Sequence, residues 1–393
     1  MLNISTKKSI VILTCTLAFS LCILDIIELH TYTKARPSSG LRSQHHYPSF
    51  TSSINQEEIT PFETEDPRKQ LLGSKSDYEI KEKIGVGGWS KVFRGVNIQT
   101  GEDVALKYYA VPLPDKKFQK EIRILKDLND APNMIRLREI FTEEINGKEQ
   151  YVPVFDYFEK DSYKEIFPRL TKFQIKYFIY QLFRTLEYAH NKGVIHRDIK
   201  PSNVLMNTKT LQLGIIDWAV SDYYVPGKNL RTTIGTFPYQ PPEILLGYKK
   251  YNPTYDVWSA GCLLAEMAFQ KRGFFNSGRI GERGPHMSQN DIDLQKFKEL
   301  LDGIAEVLGT SGLKEYFNKY EKSMDFKAFE YVGNYEKIPL KDFINEGNAH
   351  LVDEELIDLL EHIFVYDHDE RFTATEVLQH PYFNDIRSII YNG

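Results

Sequence analysis

The 393 residues carry 41% hydrophobic side chains, 24 glycines and 18 prolines, enough apolar mass for one large core or two lobes and too much for wholesale disorder or a collagen-like chain. A net charge of −5 gives no global attraction to nucleic acid or anionic lipid, so no nucleic-acid partner is expected and any phosphate site must be local. Three cysteines cannot form a disulfide framework, and a mean hydropathy of −0.41 excludes a polytopic membrane protein.

In chain order, Lys7 and Lys8 precede an uncharged apolar run from Ser9 to Leu24, and Asp25 and Glu28 interrupt its continuation to Leu29. Residues 1–29 read as a targeting segment, either a signal anchor or a signal peptide cleaved after Ser20. Its length falls between a long signal core and the about 20 residues of a full span. The apolar residues beyond Ser20 favour the anchor, which makes the protein membrane-bound rather than secreted. Basic residues on both flanks, Lys7 and Lys8 against Lys34, Arg36 and Arg42, leave the orientation open. Residues 30–75, polar and rich in Ser, Thr and Pro, read as a linker. A folded domain is expected over 76–385, with 386–393 as a tail.

Within that domain the periodicity predicts strands at Tyr78–Ile84, Lys91–Val96 and Val104–Tyr109. A helix is predicted from Asp115 to about Leu128 on the spacing of Phe118, Ile122 and Leu125. Beyond Lys160 helical patterns dominate. The fold class is therefore α+β, a small β-rich lobe before a larger helical one. The stretch Asn276 to Glu306 reads as a surface loop.

The first pattern with chemical content is IGVGGWSKVF, in which Ile84, Gly85, Val86, Gly87, Gly88, Ser90 and Val92 can bring backbone close to phosphates. An ordinary hairpin turn fits the same glycines. VALK places Lys107 on the next strand, and Glu121 lies on the inward shoulder of the following helix, where it can pair with that lysine. The decisive string is HRDIKPSNVL. Asp198 can accept the proton of an acceptor hydroxyl, Lys200 can stabilise the charge of a transferring phosphoryl group, and Asn203 can ligate a metal. Asp217, following the apolar IIDW strand, can hold Mg²⁺ bridging nucleotide phosphates. GTFPYQPPE at Gly235–Glu243 and DVWSAGC at Asp256–Cys262 complete an ordered series.

These motifs, over Tyr78 to Phe383, resemble the eukaryotic protein kinases, and among them most the casein kinase 2 catalytic subunits. The finer likeness rests on Ser90 in the third glycine position, Asp217–Trp218, the YYVPGK run at Tyr223–Lys228, VLGT at Val307–Thr310, and YDHDERFTATEVLQHPYF. The resemblance implies a bilobal fold with ATP in the interlobe cleft. It implies a base-contacting hinge at Phe155–Phe158 that includes Asp156, an adenine pocket of Ile84, Val92 and Ala105, and an Arg371–Glu243 pair. It also implies serine/threonine acceptors on protein substrates, through Lys200 and Thr236, and a regulatory subunit. The competing class is a membrane-tethered pseudokinase that binds nucleotide without efficient transfer.

Two departures matter. Ala219 stands where the family's metal-binding triplet ends in glycine, and a left-handed conformation there would cost about 1–2 kcal/mol and restrict flipping of Asp217. The basic residues that give the family its acidic-substrate preference are thinned to Lys116, Lys117, Lys120 and Arg123, and none lies between Thr232 and Gln240, with Arg231 just before.

Overall fold

The structure, a computed structural model, describes residues 66–88, 90–276, 289–324 and 329–392. Residues 1–29, most of the expected linker and Trp89 in the glycine cluster lie outside the described residues. Among those described, no helix is long and apolar enough to cross a membrane.

Five antiparallel strands form the first lobe: β1 (Tyr78–Val86), β2 (Ser90–Asn97), β3 (Asp103–Tyr109), β4 (Leu137–Ile145) and β5 (Lys148–Asp156), in the order β1-β2-β3-β5-β4. The three predicted strands are among them, each a little longer than its periodic core. Alternation along β3 decides what faces where. Val104 and Leu106 enter an apolar core with Tyr78, Phe141, Val152 and Val154, while Ala105, Lys107 and Tyr109 point the other way. Register places Gly85, Val92 and Lys107 in one row across three strands, and Ala105 opposite Phe155.

Helix α1 (Asp115–Asp127) buries Phe118, Ile122 and Leu125, with Phe118 stacked on Tyr151 at 5.1 Å and edge-on to Tyr109 at 6.0 Å. Residues 66–75, within the stretch read as linker, pack on the first lobe. Arg68 is buried, its guanidinium paired with Asp66 and with Asp115 at 2.5 Å and lying 4.5 Å over the Tyr151 ring. Leu72 forms a bridge to Ile140. A charged residue that finds carboxylates and an aromatic face is ordered in spite of its polarity.

The second lobe is helical. Helix α2 (Lys172–Asn191) starts with a capping box between Thr171 and Gln174. Two small hairpin-like pairs follow, β6 (Val194–Ile195) with β9 (Asp222–Tyr223), and β7 (Val204–Asn207) with β8 (Gln212–Ile215). They carry the polar motifs at their connections. Helix α3 (Thr254–Phe269) is buried along its whole length, as its apolar sequence on every face requires. Helices α4 (Gln289–Leu308), α5 (Thr310–Tyr320), α6 (Glu354–Ile363) and α7 (Ala374–Gln379) complete the lobe. The α4 helix corrects the surface-loop reading of Asn276 to Glu306 from Gln289 onward, while 277–288 lie outside the described residues. Leu300, Leu301, Ile304 and Ala305 are buried at helical spacing, a stripe masked in sequence by the glycine-rich run before it. Residues 384–392 form a short terminal helix.

Candidate active site

Lys107 and Glu121 meet as expected. Lys107 Nζ lies 2.9 Å from Glu121 Oε1 and 2.9 Å from Asp217 Oδ1, with Glu121 only 2% exposed. Tyr109 donates its hydroxyl to Glu121 Oε2 at 3.0 Å, so the second carboxylate oxygen is also held. Burial works against a charged Lys107, but Glu121, Tyr109 and Asp217 around it keep its pKa well above the usual lysine value. Burial likewise raises Asp217, and Lys107 more than offsets this, leaving its carboxyl below the ordinary range. The ammonium stays charged and available to phosphate oxygens.

Asp217 owes its place to the backbone. It is itself left-handed, with φ 66° and ψ 67°, and opens a 3₁₀ turn at Trp218–Val220. Ala219 sits inside that turn and is not among the residues with positive φ, so it avoids the left-handed conformation that its Cβ would penalise. The left-handed residue is one position pair upstream, where a short polar side chain tolerates it. Trp218 is buried edge-on to His196 at 4.5 Å, and α1 packs on this turn.

Asp198 lies in a hydrogen-bonded triangle. Lys200 Nζ donates to Asp198 Oδ2 and to Thr236 Oγ1, both at 2.7 Å, and Thr236 donates to Asp198 Oδ1 at 2.6 Å. Asn203 donates its amide to the Asp198 carbonyl at 2.9 Å and to Oδ2 at 3.0 Å. With the amide nitrogen so committed, Asn203 presents its oxygen, and Asp217 retains Oδ2. An oxygen-only donor set suits a hard cation such as Mg²⁺, so the residues present fit the metal that a nucleotide phosphate chain would bring.

The loop carrying Asp198 hangs from Asp256, a buried residue near the start of α3. Its two oxygens accept the backbone N–H of His196 and of Arg197, each at 2.8 Å, and His190 Nε2 lies 2.9 Å away. Arg197 is left-handed at φ 68°. Its guanidinium donates to the Val220 carbonyl at 2.8 Å, the Tyr251 hydroxyl at 3.2 Å and Asp222 at 3.1 Å. Gly235, just before Thr236, has φ 85°, and a Cβ there would stand 2.8 Å from the Arg197 carbonyl oxygen, so only glycine lets Thr236 reach Asp198. The expected Arg371–Glu243 pair is present and bidentate, at 2.8 and 2.9 Å, with both side chains 0% exposed.

Of the residues assigned to the nucleotide base, Val92 pairs directly with Lys107 across β2 and β3, and Ala105 shares the Lys107 face of β3. Ile84, Val92, Ala105, Phe155 and Phe158 are half-buried, and Gly87 and Gly88 are exposed, with no atom within 4 Å of a Cβ added at Gly88. None of the loop glycines has positive φ. No left-handed turn requires glycine at these positions. Val86 is exposed. The Asp156 side chain is bound by Arg136 at 2.9 Å and Arg138 at 2.5 Å, so only its main chain is left for a base.

The protein kinase domain family model matches residues 78–383, more than half of the chain. The chain belongs to the protein kinases. A two-lobed kinase fold and phosphotransferase chemistry, using ATP and a divalent metal on protein substrates, follow from membership. Two positions escaped sequence reasoning. Tyr109 was detectable as the residue two after Lys107 on one strand, hence on the same face. Asp256 was visible only as a polar residue opening an apolar helix, which by itself does not say what it holds.

Proposed function

We propose that this kinase phosphorylates serine and threonine in proteins, in the manner of the casein kinase 2 catalytic subunits it resembles. The observation carrying this reading is the Lys200 ammonium shared between Asp198 and Thr236 at 2.7 Å each. ATP with Mg²⁺ supplies the phosphoryl group and neutralises its charge. Lys107 orients phosphate oxygens, Asn203 and Asp217 hold the cation, and Asp198 takes the proton of the acceptor hydroxyl as the new O–P bond forms and the bond to the departing diphosphate breaks. Lys200 stabilises the oxygens in flight. A regulatory subunit belongs to the same reading on resemblance alone.

The surroundings of the acceptor support a weak demand for acidic flanks. No cation stands between Thr232 and Gln240, Gln240 turns its amide back onto the Ile234 carbonyl at 2.8 Å, and the Tyr239 hydroxyl meets Glu266 at 3.1 Å. On a degenerate peptide array the enzyme is expected to accept Ser and Thr, to reject Tyr, and to gain little from Asp or Glu after the acceptor. A strong acidic requirement would contradict the substrate reading, and absence of transfer to any hydroxyl would favour the pseudokinase scaffold.

Residues 1–29 are proposed to tether the kinase to a membrane, because the run from Ile10 is just long enough to span if Asp25 and Glu28 reach the interface. The full chain is then expected to resist carbonate extraction. A mature N-terminus near Leu21 would make it a secreted kinase instead.

A further inference from the structure

Far in sequence from the cleft motifs, α6 and the end of α7 bring together two imidazoles and a carboxylate. Asp358 and His362 are one turn apart on α6 and so share a face. His380 directly follows α7, with extended backbone at φ −60° and ψ 144°. His380 Nε2 lies 2.9 Å from Asp358 Oδ2, and His362 Nδ1 lies 3.8 Å from Asp358 Oδ1. One ligand atom from each of the three residues falls within 4.8 Å of the others.

We propose that Asp358, His362 and His380 form a binding site for a borderline divalent transition ion, zinc foremost, separate from the magnesium site of Asn203 and Asp217. Tetrahedral zinc with nitrogen and oxygen ligands places neighbouring donors about 3.3 Å apart. The separations of 2.9 Å to Asp358 Oδ2 and 3.8 Å to Asp358 Oδ1 straddle that value, and with one donor atom from each residue within 4.8 Å of the others, closure draws on rotation of the side chains. Two imidazoles with one carboxylate select zinc, cobalt or nickel over magnesium and calcium, which take oxygen.

The second imidazole sets the site apart from a plain hydrogen-bonded pair. Asp358 and His380 alone would clamp α6 to the end of α7. His362 lies outside that pair, its ring held flat against Phe372 at 4.3 Å and 24°, and the Phe372 N–H donates to the His362 carbonyl at 3.3 Å. His362 Nδ1 rests 2.8 Å from the Asp358 carbonyl oxygen, a contact at the protein surface that an ion would replace. The burial gradient fits a chelate with an open position. The side chain of His380 is 5% exposed, that of His362 44% and that of Asp358 58%, so the ion is anchored from inside and faces water outside, where a fourth ligand can be solvent.

The test is calorimetric titration of the chelator-stripped full-length protein with Zn²⁺, in excess Mg²⁺ to occupy the catalytic cation site, paired with thermal unfolding. The parent chain is expected to bind saturably and to melt at a higher temperature with zinc. His362→Ala is expected to weaken that binding by more than the about 10- to 100-fold that losing an outer-shell partner costs, with its zinc-free melting temperature and its activity with Mg²⁺ and ATP unchanged. Asp358→Asn, which keeps the size and can still hydrogen-bond His380, is expected to lose zinc as well. Zinc binding and thermal stabilisation undiminished in both variants, or no saturable binding by the parent chain, would overturn the proposal.

Discussion

Asp198→Asn is expected to lower turnover by about 10² to 10⁴ while leaving nucleotide affinity near the parental value. The substitution keeps the shape, and the Lys200, Thr236 and Asn203 side chains that now converge on this carboxylate at 2.6 to 3.0 Å can still bond an amide. What disappears is the capacity to take a proton from an acceptor hydroxyl. Lys107→Met should differ in kind, because it removes the cation between Glu121 and Asp217 and so raises the nucleotide KM as well as lowering kcat. Single-turnover transfer together with nucleotide binding by fluorescence separates the two. Parental turnover from the Asp198 variant would show that the proton goes elsewhere.

Arg371→Leu is expected to destabilise the domain by about 3–5 kcal/mol, a large part of the about 5–15 kcal/mol that holds a typical protein folded. The reason is not the strength of the pair but what its loss strands. Glu243 would remain fully buried with its two charge-assisted partners gone, and the Val365 and Thr254 carbonyls that Arg371 also serves would lose a donor. Removing both charges together, with Glu243→Gln alongside, should recover part of the loss, since a neutral amide is cheaper to bury. Urea unfolding followed by tryptophan fluorescence reads this directly, because Arg371 lies 4.9 Å over the Trp258 ring. An unchanged midpoint in Arg371→Leu would mean that the pair contributes nothing to the fold.

Strand β3 and helix α1 were legible because each has one face in a core and one face out of it, which is what periodicity reports. The same is true of Lys107, Glu121, Asp198, Asn203 and Asp217, whose spacing along the chain encodes their chemistry. Other features depend on partners far away in sequence. Arg68 looks like linker until Tyr151 and Asp115 arrive beside it. Asp256 looks like a cap until the His196 and Arg197 amides are found on it. Ala219 illustrates a different limit. The penalty read from its side chain applies only to a left-handed conformation at that position, whereas in this turn the left-handed residue is Asp217, and no pattern of residue types reports which of three neighbours takes that conformation.

The engagement of Arg197 bears on how such an enzyme is turned on. In kinases switched by phosphorylation of the segment after the metal-binding aspartate, an added phosphate orders that segment by recruiting arginines. Here each of the three guanidinium nitrogens of Arg197 already has an acceptor within the chain, and one of these is the Asp222 carboxylate, which also receives Lys120 of α1 at 3.1 Å. The carboxylate fills the role of the incoming phosphate and ties the segment to the helix that carries Glu121. A phosphate arriving there would have to displace a resident anion, so the tie between this segment and the helix carrying Glu121 is made by a charge already in the sequence.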